Sequence, residues 1–434
     1  MARHSLAGSR PHGRTEDSSP GSNGGRTRRG TNLPAVGGFN QTVILDLIRR
    51  MPDGLSRVEI AESTGLSTQT ISNVTRRLLD DGLIVEAGKQ IRGPGKPRVT
   101  LRLDPQSRFA VGVHLDPTVI TYVVLDLRGQ VVAHERTRTP EATRPDKMVE
   151  SIVTSIRAII ATAGVERERI LGIGIASPGP IDSDRGVVVD PPLLEGWRDV
   201  PLRDAIAAAT GLPVVLEKDV NAAVVAELWT SDAGTRNDFA FFYLGTGIGI
   251  GLALAGEVLR GTTGNAGEGG TLLVPAADLP ARRRSEMIGH LATPQFLVGQ
   301  AVDAGVLERE PAAHDLAAID DAFSELTSLA DAGNPGAGAV LDRAARLIAA
   351  VLVSIINLLD VDEVVFGGPA WARVADRFRT VIAPILNHSP DRVTRHPVRL
   401  SDASVGEDVA AVGAACLVLD GTLSPRPSAL LISD

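Results

Sequence analysis

The sequence predicts an α/β protein in which an N-terminal winged helix-turn-helix precedes a larger, two-lobed α/β region. Three observations carry this: a pair of short helices with a polar second face near residue 70, a recurring order of three strands, a helix and a strand after residue 105, and a change in the sign of charge between the two parts. Residues 1–105 hold 16 Lys and Arg against 10 Asp and Glu, while residues 106–434 hold 28 against 42. A basic leading part suits a polyanionic partner, and an acidic remainder keeps off a duplex and stays soluble.

Residues 1–37 are Gly, Ser, Arg and Pro with almost no large apolar side chain, so they cannot offset their ordering entropy and are expected to form a disordered tail. Its Arg26, Arg28 and Arg29 either solvate the tail or touch phosphates. A first helix is expected over about Asn40 to Met51, with Val43, Ile44, Leu47 and Ile48 on one stripe. Between Leu55 and Ile84, the apolar residues Ile60, Ala61, Leu66, Ile71, Val74, Leu78 and Leu79 recur at helical spacing, Gly65 supplies a tight turn, and Ser67 sits where an N-cap belongs. Thr68, Gln69, Thr70, Ser72, Asn73, Arg76 and Arg77 are left pointing outward. Gln and Asn match adenine edges, and Arg suits guanine or phosphate. A solvated amphipathic helix would show the same face; the neighbouring elements favour a reader. Leu83–Gly88 and Arg98–Leu103 alternate like strands around a basic, Gly-rich loop containing Lys89, Arg92 and Lys96, which makes a wing. The candidate DNA contacts are Ser67, Thr68, Gln69, Thr70, Ser72, Asn73, Arg76, Arg77, Lys89, Arg92, Lys96 and Arg98, and the expected partner is a double-stranded operator.

After Asp104 the chain changes character. Phe109–Val113, Ile120–Leu125 and Gln130–Ala133 read as consecutive strands, Met148–Ala163 as a helix and Ile170–Ala176 as a further strand. The order recurs with Phe239–Leu244, Gly249–Leu254 and Glu257–Leu259, then helices and the strand Glu363–Phe366. Two similar lobes with a cleft between them are implied. Cys416, the single cysteine, excludes an intrachain disulfide and a multi-cysteine metal site, and its Ala/Val-rich setting makes it a small core residue. No apolar run is long enough to span a bilayer, so a soluble, cytoplasmic protein without a membrane partner is expected.

Five motifs carry a resemblance: Gly174-Ile-Ala-Ser-Pro-Gly-Pro180, Glu217-Lys-Asp-Val-Asn221, Leu244-Gly-Thr-Gly-Ile-Gly-Ile-Gly251, Arg260-Gly-Thr-Thr-Gly-Asn-Ala-Gly-Glu268 and Phe366-Gly-Gly-Pro369. Each alone is weak; five in order at matching spacing are specific. With them the chain resembles the ROK family (repressors, open reading frames and sugar kinases) over about residues 38–420. The resemblance implies an actin/hexokinase-like, ribonuclease H-like fold in two lobes. The expected division is a tail at 1–37, a winged helix-turn-helix at 38–105, ROK lobe 1 at 106–235, lobe 2 at 236–420 with a C-terminal helix returning to lobe 1, and a tail at 421–434. It also implies that Asp219 stands where family kinases have the general base for a sugar hydroxyl, that Glu268 bonds sugar hydroxyls, and that Gly179, Lys218 and Asn265 complete the ligand pocket. A carboxylate within reach of a hydroxyl accepts its proton, and a second orients the ring; without phosphate chemistry the two still bind a polyol.

The departures concern phosphate and metal. Where family kinases open lobe 1 with Asp, a spacer and Gly-Gly-Thr, this chain has His114-Leu-Asp-Pro-Thr118, in which Pro117 removes an amide donor and Asp116 adds an anion, so ATP is expected to bind poorly or not at all. The Gly245–Gly251 turn is either a corner that the fold needs or a live nucleotide loop. Lys218 replaces a family Asn, and it either admits an anionic sugar or points to solvent or a neighbouring carboxylate. The family's zinc ligands are absent around Gly270 and His290, His290 reads as an ordinary surface or packing residue, and Arg282–Arg284 read as a solvated run or the rim of the pocket. The expectation is a DNA-binding regulator, a homodimer or dimer of dimers, that senses a carbohydrate with no cofactor, no metal and no catalytic residue. The rivals are a sugar kinase with an appended DNA-binding domain, and a winged helix used for protein contacts beside a ligandless core.

Overall fold

The computed structural model describes residues 33–90, 98–140, 144–194, 196–230, 236–275 and 285–423. The leading unit comprises α1 (Leu33–Arg49), β1 (Leu55–Ser56), α2 (Arg57–Thr64), α3 (Thr68–Asp80), β2 (Ile84–Gln90) and β3 (Arg98–Leu103). α1 starts ahead of the expected Asn40 and inside the segment 1–37 that reads as a tail. Pro34 is tolerated in a first helical turn, and the packing of the rest of α1 outweighs the helix penalty of Gly37 and Gly38. A reciprocal cap opens α2: Glu59 N donates to Ser56 Oγ at 3.3 Å, and Ser56 N donates to Glu59 Oε2 at 2.8 Å. Gly65, at φ 68°, ends it in the left-handed conformation that a side chain would resist. Ile44, Ile48, Ile60, Ile71, Val74 and Leu78 are buried between the three helices, and β3 lies between β1 and β2 in a small antiparallel sheet.

Lobe 1 contains β4 (Phe109–Leu115), β5 (Val119–Asp126), β6 (Val131–Arg138), α4 (Pro145–Thr162), β7 (Ile170–Ser177), the short hairpin β8 (Ile181–Asp182) and β9 (Val187–Val188), α5 (Leu202–Thr210), β10 (Val214–Lys218) and α6 (Asp219–Thr230). Its five-stranded sheet runs β10-β7-β4-β5-β6. β6 extends beyond the expected Gln130–Ala133 because β5 pairs with it as far as Val119 opposite Arg138. Its polar stretch through Arg138 alternates on an edge whose outer face meets water, which hides it from an apolar-run reading.

Lobe 2 repeats the plan. It contains β11 (Phe239–Leu244), β12 (Ile248–Leu254), β13 (Glu257–Val258), β14 (Leu273–Pro275), β15 (Ser285–Met287), α7 (Gly289–Ala292), α8 (Pro294–Asp303), α9 (Leu316–Asp331), α10 (Pro335–Leu359), β16 (Glu363–Gly367), α11 (Pro369–His388), β17 (Arg399–Asp402) and α12 (Val409–Leu423). Its main sheet runs β13-β12-β11-β16-β17, so each lobe has an antiparallel three-strand meander extended by two parallel strands. α12 continues to Leu423, into the segment 421–434 that reads as a tail.

α12 packs against β4, β7 and α6 of lobe 1, and glycines permit it. A Cβ on Gly112 of β4 would lie 2.0 Å from Ala411 O, one on Gly174 of β7 would lie 1.7 Å from Ala414 O, and one on Gly413 of α12 would lie 1.8 Å from Ala222 O of α6. The core of the winged helix is continuous with this assembly, since Ile44, Leu45 and Ile48 belong to the same buried cluster as Leu127, Trp229 and Leu423. That second partner explains why Leu45 and Arg49, outside the expected stripe of α1, are buried as well.

A matched pair in α12 tests the crossing. Gly413→Ala must displace backbone and is expected to lower stability by about 3 kcal/mol or to prevent folding. Gly421→Ala, with open space around it, is expected to be neutral or stabilising by up to ~1 kcal/mol in urea unfolding.

Candidate functional site: an exposed polar helix and an interlobe cleft

Ser67 caps α3 by accepting a hydrogen bond from Thr70 N at 3.2 Å. Ile71, Val74, Thr75 and Leu78 face inward, while Ser67, Thr68, Gln69, Asn73, Arg76 and Arg77 are exposed and Thr70 and Ser72 partly so. Gln69 Nε2 donates to Asn73 Oδ1 at 3.2 Å, which links the two amides on the exposed face of α3. Among the described residues no carboxylate pairs with Arg76 or Arg77, whereas Arg57 is engaged by Glu86 and Thr75. Arg98 is exposed at the start of β3 and Lys89 lies on β2; Arg92 and Lys96 lie outside the described residues, as do Arg26, Arg28, Arg29 and Arg282–Arg284.

The cleft is assembled by β10, the N-terminus of α6 and the loop before residue 269. Lys218 ends β10 with its side chain buried, and its Nζ donates to Glu268 Oε1 at 2.5 Å and to Ala266 O at 3.3 Å. Of the two expectations for Lys218, the structure has the pairing with a carboxylate. Gly179 faces the same group: a Cβ there would lie 2.9 Å from Glu268 Oε1, 3.1 Å from Lys218 Cε and 3.4 Å from Asn265 Oδ1. Asn265 accepts from Ile181 N at 2.8 Å and donates to Ile181 O at 2.6 Å, so its amide ties the lobe 2 loop to β8 of lobe 1. Gly179, Lys218, Asn265 and Glu268 are thus gathered in one place.

Asp219 opens α6, with its Oδ1 accepting from Val220 N at 2.7 Å. Burial pushes its pKa up to about 7, against the lowering pull of the Lys218 charge and the Val220 N–H. Beneath it Glu217 is fixed by Arg260 at 2.6 Å and by Asn221 Nδ2 at 3.0 Å. The cations found here among the described residues, Lys218 and Arg260, are already paired with carboxylates. Among the described residues, therefore, neither cation beside Asp219 is left without a carboxylate partner.

The groups around the turn after β4 engage one another. Asp116 Oδ1 accepts from Thr118 N at 2.8 Å and from Thr118 Oγ1 at 2.6 Å, so both donors of Thr118 are engaged within the turn. Tyr243 lies against the Gly-rich turn, where a Cβ on Gly245 would be 2.8 Å from its ring, and it meets His114 edge-to-face with centroids 6.2 Å apart. Both residues are buried; Nε2 of His114 and the Tyr243 hydroxyl have no hydrogen-bond partner. Burial lowers the His114 pKa and raises that of Tyr243, which favours the neutral form of each. Tyr243 had no signal in the sequence, since it reads as one more aromatic residue of a buried strand. His290 is an exposed partner of Glu286 at 3.0 Å, and Cys416 is a buried residue of α12 whose thiol is pushed up by burial. Phe366, Gly367 and Gly368 of the fifth motif line a concavity of about 320 Å³ with Trp371 and Asp402, and a Cβ on Gly368 would lie 2.4 Å from Leu244 O at the start of the Gly-rich turn.

Residues 110–421 match the model for the ROK family, and residues 38–90 match a model for the MarR family. The chain is 28% identical over 236 residues to the xylose repressor of Bacillus subtilis, a match covering 54% of this chain and 60% of that repressor. It is 28% identical over 325 residues to the glucokinase of Halalkalibacterium halodurans, covering 72% of this chain and 95% of the kinase. The crystal structure of a ROK family transcriptional regulator, a homologue of the E. coli MLC protein, superposes with a TM-score of 0.69 over 90% of this chain and 98% of that one at 23% identity, which establishes the shared fold. Among the described residues no helix is long and apolar enough to cross a membrane.

The raised pKa of Asp219 has a stability consequence. A carboxyl whose folded pKa lies above its unfolded value of about 4 holds its proton in the native state, so stability falls as pH rises from about 4 towards 7. Asp219→Asn is expected to raise the melting temperature at pH 8 and to give a smaller gain at pH 5, as read by scanning calorimetry.

Proposed function

We propose, because the chain belongs to the ROK family, that it is a DNA-binding transcriptional regulator whose interlobe cleft senses a carbohydrate. The observation that carries the reading is the joint presence, in one continuous packed core, of an exposed polar recognition helix and a cleft presenting Asp219 and Glu268. It acts as a repressor, the role named for its xylose repressor relative, and as a homodimer or dimer of dimers that places two copies of α3 on a two-fold operator in the cytoplasm. D-Xylose is the first effector to test, with other uncharged sugars beside it.

The cleft works as a sensor without a covalent step. A sugar hydroxyl donates to Asp219 and another to the free oxygen of Glu268, and closure follows if the closed state binds the sugar more tightly than the open one. A sugar kinase is the second reading, favoured by Asp219, whose pKa near 7 suits a general base at neutral pH. The engagement of Thr118 by Asp116 and the burial of Tyr243 under the Gly245 turn oppose it, and the reading adopted here is that the protein is not an enzyme.

An operator selected in vitro from random duplexes tests the assignment. Arg76→Ala is expected to weaken operator binding by about tenfold or more while leaving the sugar-induced thermal shift intact. Asp219→Ala is expected to abolish the effect of D-xylose or another uncharged sugar on operator retention. Phosphorylation of any of these sugars with MgATP would replace the sensor reading with the kinase one.

A further inference from the structure

α6 touches three parts of the molecule. Its first residue, Asp219, stands in the cleft beside Lys218. One flank is pressed on lobe 2: a Cβ on Gly249 or Gly251 of β12 would come within 2.1 Å of Val220 Cγ1 or 2.4 Å of Val224 Cγ2. The opposite flank crosses α12 at Gly413. Its last turn is fastened twice. The buried Glu227 pairs with Arg236 and accepts from Ser404 N at 2.8 Å, which ties the helix to the loop ahead of α12. Trp229 carries Arg49 of α1: Nη1 donates to Trp229 O at 3.2 Å, and the guanidinium carbon sits 3.9 Å from the centre of the indole ring.

Arg49 is 8% exposed and its fork is also held by Asp46 at 2.8 Å. An aliphatic side chain would fill this space without the desolvation cost of a buried cation. What the guanidinium adds is direction, because a planar group bonded on two sides and stacked on a ring fixes the last turn of α1 relative to the last turn of α6. The rod between the cleft and this contact is 12 residues, about 18 Å, and its side chains are buried over nearly their whole length. Backbone-to-backbone crossings at glycine leave no long side chains to absorb a displacement, so a movement at one end reaches the other.

We propose that α6 transmits the state of the cleft to the winged helix, with Arg49 on Trp229 as the contact that hands the displacement to α1 and through it to α3. This rests on the sensor reading of the cleft. Arg49 is a positioning residue: it touches neither the effector nor the groove of DNA.

Hydrogen–deuterium exchange on the full chain tests this, with peptides from α1 and α3 followed under two perturbations of the cleft, 10 mM D-xylose or D-glucose and the substitution Asp219→Asn. At least one perturbation is expected to change exchange in α1 by about threefold or more. The change should vanish in Arg49→Ala and in Arg49→Lys, which keeps the charge but not the planar fork, and persist in Trp229→Phe, which keeps a ring and the carbonyl. Circular dichroism confirms that each variant is folded, and Arg49→Lys remains decisive if Arg49→Ala is not. An unchanged response in both Arg49 variants overturns the proposal, as does a sugar that raises the melting temperature while α1 and α3 stay silent under both perturbations. If neither sugar binds but Asp219→Asn alters α1 in an Arg49-dependent way, the coupling stands and the sensor reading falls.

Discussion

The arrangement depends on one close crossing, that of α12 with β4, β7 and α6. At Gly112, Gly174 and Gly413 backbone meets backbone at distances that leave no place for a Cβ. Because α12 follows β17 of lobe 2 and lies on the sheet of lobe 1, this crossing couples the two lobes, and the winged helix is packed on the same body through Leu45, Ile48 and Leu127. The DNA-facing unit is therefore no bead on a linker. A rotation of one lobe over the other must be accommodated by α6 and α12, the two helices between the sheets, and both reach α1, α6 through Trp229 and α12 through its packing on that helix.

The cleft separates two halves of the family's chemistry. The polyol end keeps its two carboxylates, one on a helix N-terminus and raised to about 7 by burial, the other held by the buried Lys218. At the turn after β4, Asp116 accepts from the Thr118 amide and hydroxyl, and His114 meets Tyr243 edge-to-face. Burial favours the neutral form of His114, and neither its Nε2 nor the Tyr243 hydroxyl beside it has a hydrogen-bond partner.

Local chemistry was legible in the sequence, and long-range partnerships were not. The caps at Ser67 and Gly65, the exposed polar face of α3 and the strand repeat all follow from patterns within a dozen residues, and the structure shows them. The Lys218–Glu268 and Glu217–Arg260 pairs join positions about 45 residues apart, and nothing in either segment alone names its partner. Trp229 under Arg49 joins positions 180 residues apart, and nothing near Arg49 in the sequence names that partner. The polar half of β6 and the first turns of α1 escaped for a different reason, since tertiary pairing there overrides weak or contrary local preference.

The central claim is that the cleft binds an uncharged sugar without needing a nucleotide. A thermal-shift titration of the full chain with neutral, amino, acidic and phosphorylated sugars, each with and without MgATP, tests it most directly. The account predicts a concentration-dependent rise in melting temperature with a neutral sugar, no rise with MgATP alone, and no further rise when the two are combined. A shift from MgATP that grows in the presence of a sugar would contradict it, because it would mean a live phosphate site beside the polyol end.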